Sequence, residues 1–263
     1  MNIPIIFEDD VLLILNKPAG ITVNRSQTTS REVTVQDEVE KYLNLKAPVI
    51  TATPEISEDT ESPENGEIES VDEIYFQRSG IVHRIDKETS GILLVAKKVD
   101  AFSHLQAQFK NREVNKTYLA LAHGRLVPES GEINVPVGRL PWNRRQFGIV
   151  AGGRESKTFY QVSGYFRTDD KRKEVVSMVK LKPVTGRTHQ IRVHLQYLGH
   201  PIFSDFLYAG RKTQREDRKL LERVFLHAAE ISFVHPLTNE RVTYEAPLPP
   251  ELAKVLDFLV PIV

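Results

Sequence analysis

The 263-residue chain contains no cysteine, which excludes disulfides, thiolate metal sites and cysteine nucleophiles. It also lacks any apolar run near the roughly 20 residues that a membrane-spanning helix needs. Its first residues lack the basic and apolar segments of a signal peptide. Hydrophobic residues make up 40% of the chain and charged residues 27%, as in ordinary globular proteins. We therefore expect a cytoplasmic protein without a membrane partner.

A net charge of either sign is also missing, because 35 basic residues balance 35 acidic ones. The acid is concentrated in one segment without Lys or Arg, where nine acidic residues occur: Glu55, Glu58, Asp59, Glu61, Glu64, Glu67, Glu69, Asp72 and Glu73. The rest of the chain therefore has nine more basic than acidic residues, which suits a nucleic-acid partner. We expect a mobile acidic insertion at 47–76, because its composition buries too little apolar surface to offset the entropy of ordering.

Hydrophobic periodicity predicts short strands separated by a few helices. The predicted strands are 11–15, 91–96, 114–122, 132–137, 158–165, 175–181 and 225–234, and the predicted helices are 34–45, 100–110, 188–198 and 250–259. Asp100 is the expected cap of the second helix. Regular strand–helix–strand units are few, which favours an α+β fold with a mixed, mostly antiparallel sheet flanked by helices and loops.

Three segments combine polar residues with apolar surroundings: 82–91, 184–194, and 199–205 together with 225–228. The first leads into a predicted buried strand and carries cations, a carboxylate, hydroxyls and a glycine, as functional loops do. Taken alone, Asp86 could be a loop cap or a surface ion-pair partner, and Arg192 could be a solvated helix charge. Single residues therefore leave the function open.

Histidines at 189, 194, 200 and 227 are the candidates for a metal site. His189 and His194 are five residues apart, so they do not share a helix face as the pair in a His-x-x-x-His zinc motif does, and no nearby carboxylate completes a ligand set. The chain also has no Gly-rich phosphate loop and no dinucleotide fingerprint. We expect neither a metal nor a cofactor.

Six segments together resemble the pseudouridine synthases of the large-ribosomal-subunit uridine synthase A family. They are 14–20 (ILNKPAG), 83–91 (HRIDKETSG), 115–120 (NKTYLA), 186–194 (GRTHQIRVH), 199–202 (GHPI) and 226–228 (LHA). Their order and spacing match the family over most of the chain. The chain departs from the pattern in Ile85, where leucine is usual, and in its long acidic insertion, and we expect no separate N-terminal RNA-binding domain. We expect a single catalytic domain over 1–263 with a central RNA-binding cleft.

The resemblance implies that Asp86 is the catalytic carboxylate, that Arg192 pairs with it, and that Tyr118 packs against the target uracil and is a candidate to take the C5 proton. It also implies that Arg84 fills the gap left by an extruded base. The substrate-binding residues that we expect are His83, Arg84, Thr89, Arg187, His189 and Leu226. Candidate phosphate contacts are Arg139, Arg144, Arg145, Arg154 and the segment 211–215, which could equally be a solvated helix face.

The implied activity is the isomerisation of uridine in ribosomal or transfer RNA by a monomer. One alternative is an RNA-binding protein of the same fold that acts mainly as an RNA chaperone. Another is a hydrolase of small nucleosides that uses the same carboxylate. The excess of basic residues outside the acidic segment disfavours this alternative.

Overall fold

The structure is a computed structural model that describes residues 1–25, 32–45, 70–169 and 173–262. Its strands are β1 (Ile5–Glu8), β2 (Leu12–Lys17), β3 (Ser90–Ala96), β4 (Asn115–His123), β5 (Ser130–Asn134), β6 (Val137–Leu140), β7 (Asn143–Ile149), β8 (Lys157–Thr168), β9 (Val175–Pro183), β10 (Leu226–Val234), β11 (Arg241–Glu245) and β12 (Leu259–Ile262). Its helices are α1 (Val35–Leu43), α2 (Val71–Gln77), α3 (Val99–Lys110), α4 (Gln190–Tyr197), α5 (Arg211–Asp217) and α6 (Pro250–Asp257).

Ten of these strands form one sheet, in the order β1-β2-β3-β10-β4-β9-β8-β12, with β11 added to β10 and β5 to β8. Strands β6 and β7 form a separate hairpin. Within the described ranges β3 and β10 are the one parallel pair, and the other paired strands are antiparallel. The predicted α+β fold with a mostly antiparallel sheet is confirmed.

Strands β2 and β3 are covered by helices on both faces. Leu12 and Ile14 pack with Phe102 of α3, whereas Leu13 and Leu15 pack with Val35 of α1. A strand buried on both faces needs apolar residues at every position, not at alternate ones. This explains why both strands are nearly continuous apolar runs. Helices α4 and α6 cover the β4–β9 part of the sheet and complete a second core there.

The predicted acidic insertion at 47–76 lies mainly outside the described residues, but its last part differs from the expectation. Residues 71–77 form helix α2, where Ser70 and Glu73 make a reciprocal capping box. Tyr75 packs edge-on against Phe102 and donates its hydroxyl hydrogen to the Lys97 carbonyl, at 2.9 Å. The cap and one buried aromatic ring outweigh the acidic composition here.

Two predicted boundaries are also wrong. Helix α3 begins one residue earlier than expected and has Lys98 at its N-cap, so Asp100 does not cap it. Asp100 lies in the first turn, where a carboxylate is stabilised by the helix dipole without a capping bond. The strand expected at 132–137 is divided between β5 and β6, because Pro136 has no N–H to donate to a partner strand.

Candidate active site

The loop that carries Asp86 lies directly before β3 and is held by buried cations. Lys17, at the end of β2, donates to the carbonyls of Pro18, Ile21 and Lys87 at 2.9 to 3.1 Å. The Gly20 N–H also donates to the Lys87 carbonyl, at 2.7 Å. Burial lowers the pKa of Lys17 to about 7 against the opposing effect of Asp86. The segment 14–20 thus holds the loop 83–89 in place through hydrogen bonds to the Lys87 carbonyl.

A second cation, Arg223, fastens the end of the same loop. It donates to the Glu88 carbonyl at 3.4 Å and to the Ser90 hydroxyl at 3.0 Å. Gly91 follows with a φ of +114°, and a Cβ built there would lie 2.1 Å from the Ala228 carbonyl oxygen. Only glycine permits this conformation and this approach of β3 to β10. The loop therefore enters the sheet at a fixed place.

A cavity of about 420 Å³ opens between this loop, strand β4 and the start of α4. All nine residues expected from the sequence line it: Asp86, Tyr118, Arg192, His83, Arg84, Thr89, Arg187, His189 and Leu226. Phe109, Lys110, Arg112 and Lys116 also line it and had been assigned no role. The cavity is therefore rich in cations around one carboxylate, which suits a polyanionic ligand.

Arg192 joins two carboxylates in a group that we call the arginine cluster (Arg192, Asp205 and Asp86). Its Nε and Nη2 donate to Asp205 Oδ2 and Oδ1 at 2.7 and 2.8 Å. Its Nη1 lies 3.6 Å from Asp86 Oδ2. The expected pairing with Asp86 is therefore present, but Asp205 is the closer partner. Burial alone would lower the pKa of Arg192, and the bonds to Asp205 reverse that effect and raise it.

Aromatic rings fix the guanidinium on its other sides. Its central carbon lies 5.0 Å from the centre of the Tyr208 ring and 5.8 Å from that of Phe206. Tyr208 bonds through its hydroxyl group to His189 Nδ1 at 2.8 Å and to the Phe147 N–H at 3.0 Å. Burial raises the pKa of Tyr208 to about 12, so its hydroxyl group is neutral. These contacts connect α4 to the β6–β7 hairpin.

Tyr118 and Leu226 form an apolar wall of the cavity on adjacent strands β4 and β10. Burial and the nearby Asp86 raise the pKa of Tyr118 well above its usual value. Its phenol is therefore neutral at physiological pH. Thr89 lies beside Asp86 in the cavity lining, and its buried hydroxyl has no hydrogen-bond partner among the described residues.

His83 is a fixed part of the cavity wall. Its Nε2 accepts a hydrogen bond from the Leu94 N–H at 3.0 Å, and its ring stacks on Phe109. Burial, helped by Lys116, lowers the pKa of His83 to about 3. Burial also lowers the pKa of Lys116 to about 8. His83 thus contributes an uncharged ring to the cavity wall, while Lys116 supplies the nearby positive charge.

On the opposite side, Arg187 Nε donates to the Glu155 carbonyl at 3.2 Å. The β6–β7 hairpin packs against the start of α4, where Phe147 contacts His189 edge-on, and Trp142 is 79% exposed between its strands. Arg139 stacks on Phe147 at 4.9 Å, and Arg145 is exposed on β7. The segment 211–215 is within α5, where Arg215 approaches Glu216, and Lys219, which follows the helix, approaches the same carboxylate. Glu216 therefore offsets part of the positive charge of this segment.

The role of Asp205 was not predicted. It lies in one of the polar segments, but a single aspartate after an apolar run gives no sign of its partner. Tyr208, Phe109 and Lys116 likewise resemble ordinary core or strand residues in the sequence. Their proximity to Asp86 depends on long-range packing that sequence periodicity does not report.

A second group of charged residues, the histidine cluster (His123, Asp217 and Glu174), lies apart from the cavity lining. Its ligand-type atoms are within 4.8 Å of one another, close enough to consider a metal ion. However, His123 Nδ1 faces Glu174 at 3.0 Å and its Nε2 faces Asp217 at 2.8 Å. Burial would lower the pKa of His123, but these two bonds outweigh burial and raise it to about 9. The geometry is that of a charged imidazolium between two carboxylates.

None of the helices in the described part of the chain combines the length and apolar character needed to cross a membrane. The model of the RNA pseudouridylate synthase family matches residues 11–197. A ribosomal large subunit pseudouridine synthase C from Pasteurella multocida is 36% identical, over 97% of this chain and 67% of that protein. A ribosomal large subunit pseudouridine synthase D from Neisseria meningitidis is 33% identical, over 98% of this chain and 62% of that protein.

Among solved structures, human RNA pseudouridylate synthase domain containing 1 matches with a TM-score of 0.68 and 26% identity. The match covers 99% of this chain and 89% of the human one. Sequence, fold and family model agree. The chain belongs to the RNA pseudouridylate synthase family, and with it to the isomerases that modify RNA.

Proposed function

We propose that the chain converts uridine to pseudouridine in ribosomal RNA, with Asp86 as the catalytic carboxylate. One observation carries this proposal: Asp86 is 22% exposed in a cation-lined cavity and has Arg192 Nη1 at 3.6 Å. The names of the relatives from Pasteurella and Neisseria support ribosomal RNA as the substrate. Transfer RNA is the second substrate to test.

The reaction breaks the bond from uracil N1 to ribose C1′, turns the base, and forms a bond from C5 to C1′. Asp86 can contribute in two ways. It can attack C1′ and form a covalent intermediate that the C5 of the turned base displaces. It can instead take the 2′ proton and generate a glycal. In both cases the C5 proton leaves at the end, and the product carries a proton on N1.

Tyr118 packs against the uracil in this proposal. Its neutral phenol is a poor base at rest, because the pKa is raised by burial and by Asp86. Taking the C5 proton would require Tyr118 to release its own proton in the same step. The flat wall that it forms with Leu226 supports a packing role more directly.

The target base reaches Asp86 only after extrusion from its stack, which costs a few kcal/mol. Arg84 is exposed at the cavity and can occupy the vacated space with its planar guanidinium. Thr89, His83, Arg187 and His189 contact the nucleotide around the base. Lys116 and Arg112 supply charge for the phosphates, so binding weakens as salt rises.

The same proposal includes one catalytic domain over 1–263 that works as a cytoplasmic monomer. The continuous sheet from β1 to β12 supports one domain. The isomerisation transfers no electrons and no group to a second molecule, so its overall balance needs no co-substrate and no redox cofactor. The alternative of a chaperone is not favoured by the names of the relatives, which describe synthases.

Release of tritium from RNA labelled at uridine C5 tests the proposal. Wild type should release tritium from ribosomal RNA, and Asp86→Asn should release none while it still binds that RNA. Release by the Asp86→Asn variant would exclude Asp86 as the catalytic carboxylate. Release from transfer RNA but not from ribosomal RNA would show that transfer RNA is the substrate. Salt-sensitive binding without release from either RNA would favour the chaperone.

A further inference from the structure

Asp205 is fully buried and does not line the cavity, yet it forms both short bonds to Arg192. Its Oδ1 also accepts the N–H groups of Leu207 and Tyr208 at 3.0 and 3.2 Å. These bonds fix the carboxylate in one orientation. Asp205 therefore presents a rigid fork to one edge of the guanidinium.

A guanidinium has a limited set of donors in a fixed plane. Asp205 occupies the edge formed by Nε and Nη2, and Phe206 and Tyr208 lie within 6 Å of the guanidinium. Nη1 remains directed toward Asp86, at 3.6 Å, which is beyond a normal hydrogen bond. The cation is thus shared unequally between its two carboxylates.

We propose that Asp205 is a positioning residue that holds Arg192 back from Asp86, so that the catalytic carboxylate has a cation nearby but is not tied into a bidentate pair. A carboxylate locked by two short bonds to arginine is a weaker nucleophile and a weaker base, because the arginine holds one lone pair on each oxygen and stabilises the negative charge. Asp205 prevents this by binding that edge of Arg192 itself. The inference rests on the proposed role of Asp86.

The test is the dependence of kcat on pH at saturating RNA, whose acid limb reports protonation of the catalytic carboxylate. Asp205→Asn keeps Oδ1 as the acceptor for Leu207, Tyr208 and Arg192 Nη2, but it presents an amide N–H to Arg192 Nε, which breaks one of the two bonds that hold the guanidinium. Arg192 should then move onto Asp86. We expect kcat to fall about tenfold with KM nearly unchanged, and the acid limb to move down by about one pH unit.

Arg192→Lys should move the acid limb in the other direction. A lysine has its donors on one nitrogen and cannot hold Asp205 with one edge while it faces Asp86 with another. Asp86 then loses its cation, and the limb moves to higher pH. Lys17, Tyr118 and Tyr208 also act electrostatically on Asp86, and both variants leave them in place.

Asp217→Asn is the matched control, because Asp217 is equally buried but bonds to His123 and Ser204. It should lower the melting temperature and leave the acid limb unmoved. Opposite movements in the two test variants support the proposal. An unmoved limb in a folded Asp205→Asn or in Arg192→Lys overturns it, and tritium release by Asp86→Asn overturns the proposed function instead.

Discussion

In both the arginine cluster and the histidine cluster, one buried cation lies between two carboxylates, of which one is buried and one is partly exposed. In the histidine cluster both contacts are short, at 2.8 and 3.0 Å, and none of its residues lines the active-site cavity. In the arginine cluster only Asp205 is bound closely, and Asp86 remains at 3.6 Å with access to the cavity. Both carboxylates of the histidine cluster are therefore closely bonded to the cation, whereas the arginine cluster leaves Asp86 available to a ligand.

The difference shows how burial of charge can serve either stability or chemistry. A buried pair whose lone pairs are all used contributes rigidity and has nothing left for a ligand. A carboxylate that is near its cation but incompletely bonded is available to a substrate. The two clusters should therefore respond in different ways when one partner is removed.

The largest effect is expected from Arg192→Leu. It leaves Asp205 as a buried charge without its partner, so the free energy of unfolding should fall by about 3–5 kcal/mol. Activity should be lost as well. The double variant Arg192→Leu/Asp205→Asn removes both charges and keeps an acceptor for the Leu207 and Tyr208 N–H groups, so it should recover much of the stability, but no activity. Denaturant unfolding and tritium release measure the two quantities separately.

Full additivity of the two substitutions would contradict this account, since residues in contact should show a coupling energy of about 0.5–3 kcal/mol. Recovery of activity in the double variant would show that Arg192 matters to the fold alone. Either result would remove the contrast between the clusters.

The fold was accessible from the sequence where hydrophobic periodicity was strong. Strands β2 and β3 are apolar at nearly every position because helices cover both faces, and their boundaries were predicted within one or two residues. Helix α2 was missed because its seven residues follow an acidic stretch and one buried tyrosine carries its packing. The composition of the whole acidic segment hides a helix as short as this one.

The site also contains one residue that the sequence indicated, Asp86, and one that it did not, Asp205. Asp86 lies in a polar loop between apolar segments, so the sequence marked it as a candidate even before the family resemblance gave it a role. Asp205 is 119 residues further along the chain and acts through Arg192. Its function depends on the orientation of a guanidinium, which neither periodicity nor spacing encodes.

The histidine cluster should make stability depend on pH. The pKa of His123 is raised to about 9 in the folded protein, against about 6.5 when unfolded. Its contribution is therefore complete below pH 6.5 and is lost as the pH rises through 9. The loss should be on the order of 3 kcal/mol, at about 1.4 kcal/mol per unit of pKa shift.

His123→Gln isolates this effect, because Lys17 and Lys116 have lowered pKa values and change stability in the opposite direction over the same range. The difference in unfolding free energy between wild type and His123→Gln should shrink from pH 6.5 to pH 9. A constant difference would mean that folding does not raise the pKa of His123. The acid limb of kcat should be unaffected in this variant.

The smallest effect concerns Thr89, whose buried hydroxyl has no partner in the described residues and lies next to Asp86 in the cavity lining. Thr89→Val keeps the shape and removes the hydroxyl. The folded protein should be equally stable or gain about 1 kcal/mol, because an unsatisfied polar group disappears. Catalytic efficiency should fall roughly 2- to 10-fold if the hydroxyl gains a bond only with RNA present.

Thr158→Val is the matched control, since Thr158 is also fully buried but bonds to Gln190 and His194 at 2.9 and 3.0 Å. It should lose stability while its kcat/KM stays within about twofold of wild type, the reverse of Thr89→Val. Equal losses of stability in both variants would mean that the Thr89 hydroxyl is already satisfied without RNA. In that case the Thr89 hydroxyl is not a free hydrogen-bonding group beside Asp86. Asp86 would then be the incompletely bonded group of this site.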